Sequence, residues 1–320
     1  MQGPPLGIDL GGTKMLALCI EEGHTAGAES TVASPRSGSE LVDAVAAASA
    51  ALCGGNPRAI GIGVPGLVDP SGTVRFAPNL LGISGTSLLD ALARRFPSAS
   101  LWVGNDATAA CWAEHTLGAG AGSAEVLLVT LGTGIGGGIV SGGVLVEGVH
   151  RFAGEIGHMV VDPSGPPCPC GRNGCWERFA SGAALGVLGR QAAAGGSARR
   201  VLELAGGDPA AVCGEHVTAA ALEGDGSAAE IMDRFGWWVA LGLANLANTL
   251  DPEMIVIGGG LVSAGEALMG PVRRWFSGMV EAADTRDRTR LLLATLGPKA
   301  GAIGAGLLAR NAEGRPAPFR

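Results

Sequence analysis

Four side chains in one stretch carry the chemistry of a metal knot. In AGEIGHMVVDPSGPPCPCGRNGCWE, residues 153–177, Cys168, Cys170 and Cys175 fall within eight positions and His158 stands ten residues before the first of them. Three thiolates and an imidazole make the Cys3His set that suits tetrahedral Zn2+. Four protein ligands close the coordination sphere, so such a zinc clamps the chain and performs no catalysis. The spacing is not the paired CxxC of a zinc finger, and a lone histidine is ordinarily structural; the glycine- and proline-framed cysteines give this one its meaning. Glu155 and Glu177 bracket the four, and carboxylates beside a closed knot point to a binding pocket.

Three glycine-rich turns are candidates for phosphate. In Asp9-Leu-Gly11-Gly12-Thr13-Lys14, glycines let backbone N–H groups approach phosphate oxygens, and Thr13 and Lys14 add a hydroxyl and a cation. Gly7 and Gly12 are spaced as in a P-loop, but Thr13 stands where lysine is required and a strand follows, so that motif fails. An ordinary hairpin turn braced by Asp9 explains the same residues. Gly132-Thr133-Gly134-Ile-Gly-Gly137 matches GxGxxG, yet a strand follows here too, which rejects the dinucleotide fingerprint. It reads better as a second phosphate loop. Gly258-Gly259-Gly260 does stand at a strand-to-helix turn, suited to adenosine or phosphate, although glycine also simply eases such a turn. Asp106, after Asn105, follows a strand and opens a helix, where the common use of aspartate is as an N-cap.

Composition narrows the classes. The 320 residues suffice for two domains, and 47% hydrophobic content can supply both cores. A net charge of −7 without a long Lys/Arg run argues against a nucleic-acid surface. No apolar run reaches membrane-spanning length and no basic-then-apolar leader opens the chain, so a cytoplasmic protein with no membrane partner is expected. Cys19, Cys53, Cys111 and Cys213 lie singly in apolar stretches and read as small core residues outside any disulfide framework.

The elements that must position these residues alternate strands and helices. Strands are expected at 6–10 and 15–20 around the first glycine turn, then at 59–64 and 101–103. A helix over 39–53 opens on the Ser37–Glu40 capping box, and another runs over 106–117 to Gly118. The pattern then repeats, with strands at 126–131 and 135–140 around the second turn and a third at 144–146. Beyond the knot come helices from Ser181, a long one from Ser227 with Glu230 as its capping partner to 250, a strand at 254–257, a helix at 264–280, a strand at 291–294 and a helix at 301–310. The polar tail NAEGRPAPFR reads as frayed. Trp237 and Trp238 read as core or subunit interface. Two copies of strand–glycine turn–strand point to two related α/β lobes.

EIGHM followed by CxCGxxGCxE resembles the signature of the ROK family of sugar kinases and sugar-responsive repressors. The likeness extends from DLGGTK at 9–14 to LGPKAGAIGAG at 296–306. It implies the actin-like ATPase (ribonuclease H-like) α/β fold, two lobes around a central cleft: a small lobe 1–105 joined by the C-terminal helix 301–320, and a large lobe 106–300 carrying the zinc knot. It further implies ATP-dependent phosphorylation of a hexose, glucose foremost, at the 6-hydroxyl. Asp106 would be the general base, and Asp9 would hold Mg2+. Gly11, Gly12, Thr13, Lys14, Thr133, Gly134, Gly258, Gly259 and Gly260 would bind ATP. Gly66, Asn79, Asn105, Asp106, Glu155, His158 and Glu177 would fix the sugar, His158 binding zinc through its other nitrogen. After Asn79 the run LLGISG lacks the aromatic residue that many glucose-specific relatives carry. Fructose or an N-acetylated amino sugar (N-acetylmannosamine, N-acetylglucosamine) is therefore the alternative substrate. A non-catalytic sugar sensor of the repressor type would need a helix-turn-helix ahead of a first strand that begins near Leu6, and all three glycine turns and Asp106 favour the enzyme. Homodimers or homotetramers are usual in the family.

Overall fold

Apolar residues alternate or run continuously through the first strands, and glycines mark where each turns. The computed structural model describes residues 2–21, 26–284 and 289–311. It begins with β1 (Leu6–Leu10), β2 (Lys14–Ile20), β3 (Ala26–Ala33), α1 (Gly38–Cys53), β4 (Ala59–Val64), β5 (Leu67–Val68) and β6 (Val74–Phe76). Then come α2 (Leu88–Arg95), β7 (Ser100–Asn105), α3 (Asp106–Leu117), β8 (Val126–Leu131), β9 (Ile135–Ser141) and β10 (Val144–Leu145). Helices dominate afterwards: α4 (Glu177–Ala180), α5 (Gly182–Ala194), α6 (Arg199–Leu204), α7 (Gly214–Leu222) and α8 (Gly226–Leu250). Finally β11 (Met254–Gly258), α9 (Glu266–Met279), β12 (Arg290–Leu293) and α10 (Ala300–Asn311) close the chain. The tail after Asn311 lies outside the described residues.

Two five-stranded sheets share one plan, with orders β3-β2-β1-β4-β7 and β10-β9-β8-β11-β12. In the first, β1 pairs antiparallel with β2 and parallel with β4, which pairs parallel with β7. In the second, β9 pairs antiparallel with β10 and β11 parallel with β12. This repeated arrangement is that of the actin-like ATPase fold. Strand β3 was not anticipated; its residues are mostly exposed at a sheet edge, so no apolar alternation marks it.

Contacts divide the chain into two units, one of Met1–Leu128, Gly138–Gly154 and Thr295–Arg320, the other of Val129–Gly137 and Glu155–Ala294. This places α3 with the N-terminal strands, whereas the sequence drew its boundary at 105/106. The reason is packing. A Cβ at Gly304 of α10 would collide with the Ala109 carbonyl of α3, so these helices touch backbone to backbone. On the other face of the first sheet, Leu6, Ile8, Leu10, Ile60 and Ile62 bury against Leu41 and Val45 of α1 and Leu88 and Leu92 of α2.

Two caps differ in detail from expectation. Ser37 does accept the Glu40 N–H at 3.2 Å, but the Glu40 carboxylate accepts from Arg36 N–H instead of closing the box. Helix α8 is capped by Asp225, which accepts Ala228 N–H at 2.8 Å, and Ser227 instead donates to Asp225. Of the four scattered cysteines, Cys19, Cys53 and Cys111 are buried and unpaired; Cys213 is half-buried at the start of α7 beside His216. Among the described residues no helix is long and apolar enough to cross a membrane.

The α3–α10 approach makes a direct test possible. Gly304→Ala should destabilise by about 1–3 kcal/mol, because the obstructing atom is backbone and cannot swing aside. Gly278→Ala in α9, where a Cβ would meet open space, should be neutral or slightly stabilising. Denaturant melts showing equal effects at both positions would contradict this packing.

Candidate active site

In the first unit the site is built on the β1–β2 turn. Gly11 N–H donates to the Lys14 carbonyl at 2.9 Å, closing the turn. Ser34, at the exit of β3, braces it twice: its hydroxyl donates to the Gly11 carbonyl at 2.5 Å and its N–H to the Thr13 carbonyl at 3.1 Å. Sequence reasoning missed Ser34 because the strand that delivers it left no pattern. A Cβ on Gly12 would rest 3.4 Å from Cβ of Asn79, so the turn and Asn79 are neighbours.

Asn105, not Asp106, caps α3. Asn105 is the N-cap of α3, accepting Thr108 N–H at 2.9 Å, and its amide also donates to the Gly66 carbonyl at 3.3 Å. Gly66 must be glycine, since a Cβ there would collide with the Phe76 carbonyl. Relieved of capping, Asp106 is the first residue of the helix, and its carboxylate accepts only the adjacent Ala107 N–H at 2.8 Å among the bonds described. Burial pushes the Asp106 carboxyl above its usual range and outweighs these backbone bonds. At this helix terminus desolvation is the larger effect. Burial likewise raises Asp9 to about 7, with the Asp106 charge adding to the rise and Lys14 opposing it. Two half-buried, desolvated carboxyls whose charges repel each other fit a hard divalent cation such as Mg2+.

In the second unit, three bonds shape the other phosphate turn. Gly132 N–H donates to the Gly134 carbonyl at 3.0 Å, Gly136 N–H to the Thr130 hydroxyl at 3.1 Å, and Ile135 N–H to the Glu177 carboxylate at 2.9 Å. Thr133 and Gly134 stand at the tip. Gly259, at φ +87°, lets the chain after β11 pass against the Leu131 backbone, where a Cβ would collide. Gly258 ends β11, and Gly260 opens a short 3-10 turn before α9.

The knot residues do converge. The ligand atoms of His158, Cys168, Cys170 and Cys175 all lie within 4.8 Å of one another. Cys170 and Cys175 sulfurs are 3.5 Å apart, and Cys168 Sγ is 3.7 Å from His158 Nδ1. The edges of a tetrahedron around Zn2+ measure about 3.5–3.8 Å with such donors; these two pairs match that spacing, and three thiols with one imidazole are a donor set suited to the metal. His158 Nε2 faces away, with Glu155 Oε2 3.9 Å from it. Trp237 and Trp238 are half-buried; Trp238 stacks on Phe179 at 4.1 Å between ring centres.

The ROK family pattern matches residues 5–312. The chain belongs to the ROK family. It is 36% identical to a glucokinase of Streptomyces coelicolor over 315 residues, covering 97% of this chain and 99% of that protein. An N-acetylmannosamine kinase of Escherichia coli O139:H28 is 32% identical, covering 96% and 98%. Among solved structures, a ROK family glucokinase from Streptomyces griseus, in complex with glucose and AMPPNP, superposes with a TM-score of 0.84 at 38% identity. That superposition covers 97% of this chain and 100% of the other.

Two outcomes test this ROK site. A carboxyl whose folded pKa lies above its unfolded value favours the fold below the unfolded value and loses that contribution as pH rises through the folded one. For Asp9 the window runs from 3.8 to about 7. Without added divalent cation, Asp9→Asn should therefore gain thermal stability relative to the wild type on going from pH 5 to pH 8. A gain in the reverse direction would show Asp9 to be paired, not desolvated. Separately, purified protein should carry about one zinc per chain, and Cys175→Ser should lose it together with thermal stability; full metal content in that variant would remove Cys175 from the ligand set.

Proposed function

We propose that this chain is an ATP-dependent hexose kinase that phosphorylates glucose at its 6-hydroxyl. The observation that carries the reading is the half-buried Asp106, freed from capping by Asn105 and near enough to Asp9 for the two charges to interact. Phosphoryl transfer through a loose transition state asks the protein mainly for positioning and charge stabilisation. The turn of Gly11, Gly12, Thr13 and Lys14 offers backbone N–H groups, a hydroxyl and a cation suited to phosphate, and the turns at Thr133–Gly134 and Gly258–Gly260 offer N–H groups and a hydroxyl of the same kind. Mg2+, when bound through Asp9, neutralises phosphate charge.

Asn79, Asn105, Glu155, His158 and Glu177, with the Gly66 carbonyl turn, present donors and acceptors matched to vicinal hydroxyls. Asp106 accepts the proton from the attacking hydroxyl. Its raised pKa makes the ionised form a stronger base than an exposed carboxylate. Zn2+ holds the segment from His158 to Cys175 as a structural clamp and so fixes the spacing of Glu155 and Glu177.

Similarity to the S. griseus enzyme crystallised with glucose and AMPPNP supports the pairing of substrates. The N-acetylmannosamine kinase relative, together with the run 80–85 after Asn79, which holds no aromatic residue, supports an amino sugar as the second reading. ADP release across glucose, mannose, fructose, N-acetylglucosamine and N-acetylmannosamine separates the two, with glucose expected to give the highest kcat/KM. Asp106→Asn should lower kcat by about 10^2–10^4 while glucose affinity, measured by calorimetry, stays within about threefold; a variant with wild-type turnover would remove Asp106 as the base.

A further inference from the structure

Glu177 is assigned above to the sugar, yet its carboxylate is already engaged elsewhere. Oε2 accepts the Ile135 N–H at 2.9 Å, within the second phosphate turn. A Cβ at Gly134 would collide with the same oxygen, and the three atoms nearest that position all belong to Glu177. The turn and the carboxylate are therefore fitted to each other. Five residues on, Gly182 N–H donates to the Gly132 carbonyl at 2.7 Å. The segment 177–182 thus grips the turn at both ends, once by a side chain and once by backbone.

This grip is rigidly founded. Trp176, adjacent to Glu177, is fully buried and donates its indole N–H to the Trp238 carbonyl at 2.7 Å. Gly242 of α8 is the seat of that indole, since a Cβ there would overlap its ring. Phe179, two residues on, stacks on Trp238. Helix α4 cannot shift without unseating these rings, so its carboxylate is held where the turn needs it.

We infer that Glu177 is a positioning residue for the nucleotide as well as a sugar contact: by holding Ile135 N–H it fixes the Thr133–Gly134 tip in a phosphate-binding conformation, and so ties sugar occupancy to nucleotide affinity. The inference rests on the kinase reading above. It adds to that reading a dependence of ATP binding on a residue of the sugar side, present even when no sugar is bound.

The test is the affinity for AMPPNP measured by calorimetry in the absence of sugar. A backbone N–H bonded to a carboxylate and then left without its acceptor predicts a loss of about tenfold or more in Glu177→Ala. Glu177→Gln keeps a carbonyl oxygen that can accept the same N–H, so its sugar-free AMPPNP affinity should return to within about threefold of wild type. Gly134→Ala, whose methyl evicts the carboxylate, should weaken AMPPNP as Glu177→Ala does, and the double variant should be no weaker than either single one. Glu155→Gln should weaken glucose but leave sugar-free AMPPNP binding unchanged. Zinc content and thermal melts identify any variant that fails to fold; if Glu177→Ala is one, Gly134→Ala carries the test. AMPPNP binding within twofold of wild type in a folded Glu177→Ala or Gly134→Ala protein would overturn the inference, as would additive losses in the double variant. A wild-type protein that binds no AMPPNP at all would instead overturn the kinase reading beneath it.

Discussion

Helix α10 meets the first sheet backbone to backbone at its glycine positions, and the chemistry of that unit follows from this closeness. Cβ atoms at Gly7 and Gly61 would collide with the carbonyls of Ala302 and Ala305, and one at Gly304 with that of Ala109. Interiors pack too densely for even one added methyl at such points. At the head of the same helix, a Cβ on Gly301 would come 3.1 Å from the Asp9 carboxylate. The packing that seats the helix thus also covers Asp9, and covering it is what raises its pKa. A carboxyl held this way is poorly solvated and close to a second half-buried acid, which favours a cation over water as its partner.

The second unit solves the same problem of precision by other means. Between Met159 and Trp176 there is no regular helix or long strand, only bridges and turns: Val161 N–H to Gly174, Cys168 N–H to Arg172, Trp176 N–H to Met159. Such a segment buries little apolar surface and has few contacts to hold it, so a four-ligand metal supplies the order that a core supplies elsewhere. The order is then handed on through Trp176 to α4 and to the glycine turn. The cysteine–histidine cluster and the second glycine turn belong to one continuous scaffold.

Much of this was legible in the sequence where the signal is local. The β1–β2 and β8–β9 turns, the extent of α3 and the four knot ligands follow from glycine placement, caps and cysteine spacing. What escaped depends on distant residues. Asn105 and Asp106 are neighbours, and composition cannot say which caps the helix; the bond from Asn105 to Gly66, 39 positions away, decides it. Ser34 and Glu177 brace turns that are 23 and 42 residues from them. The rise in the Asp106 pKa comes from burial, which no motif encodes. The contact units group α3 with the N-terminal strands for a reason of the same kind, because glycines on α10 look like ordinary breaks in a helix until α3 is seen beside them.

The first unit is assembled from three separated stretches of chain, and α10, at its centre, comes from the last of them. A ribosome therefore releases β1, β4 and α3 long before the helix that covers them, with the whole of 155–294 emerging in between. Domains on nascent chains generally fold as units, N-terminal first, but here the N-terminal half must wait with glycine-lined strand backbones uncovered. The second unit has its material complete earlier, and so folds while the first is still open. A chain stopped before α10 would leave that sheet without the helix that covers it, an obvious substrate for chaperones and proteases.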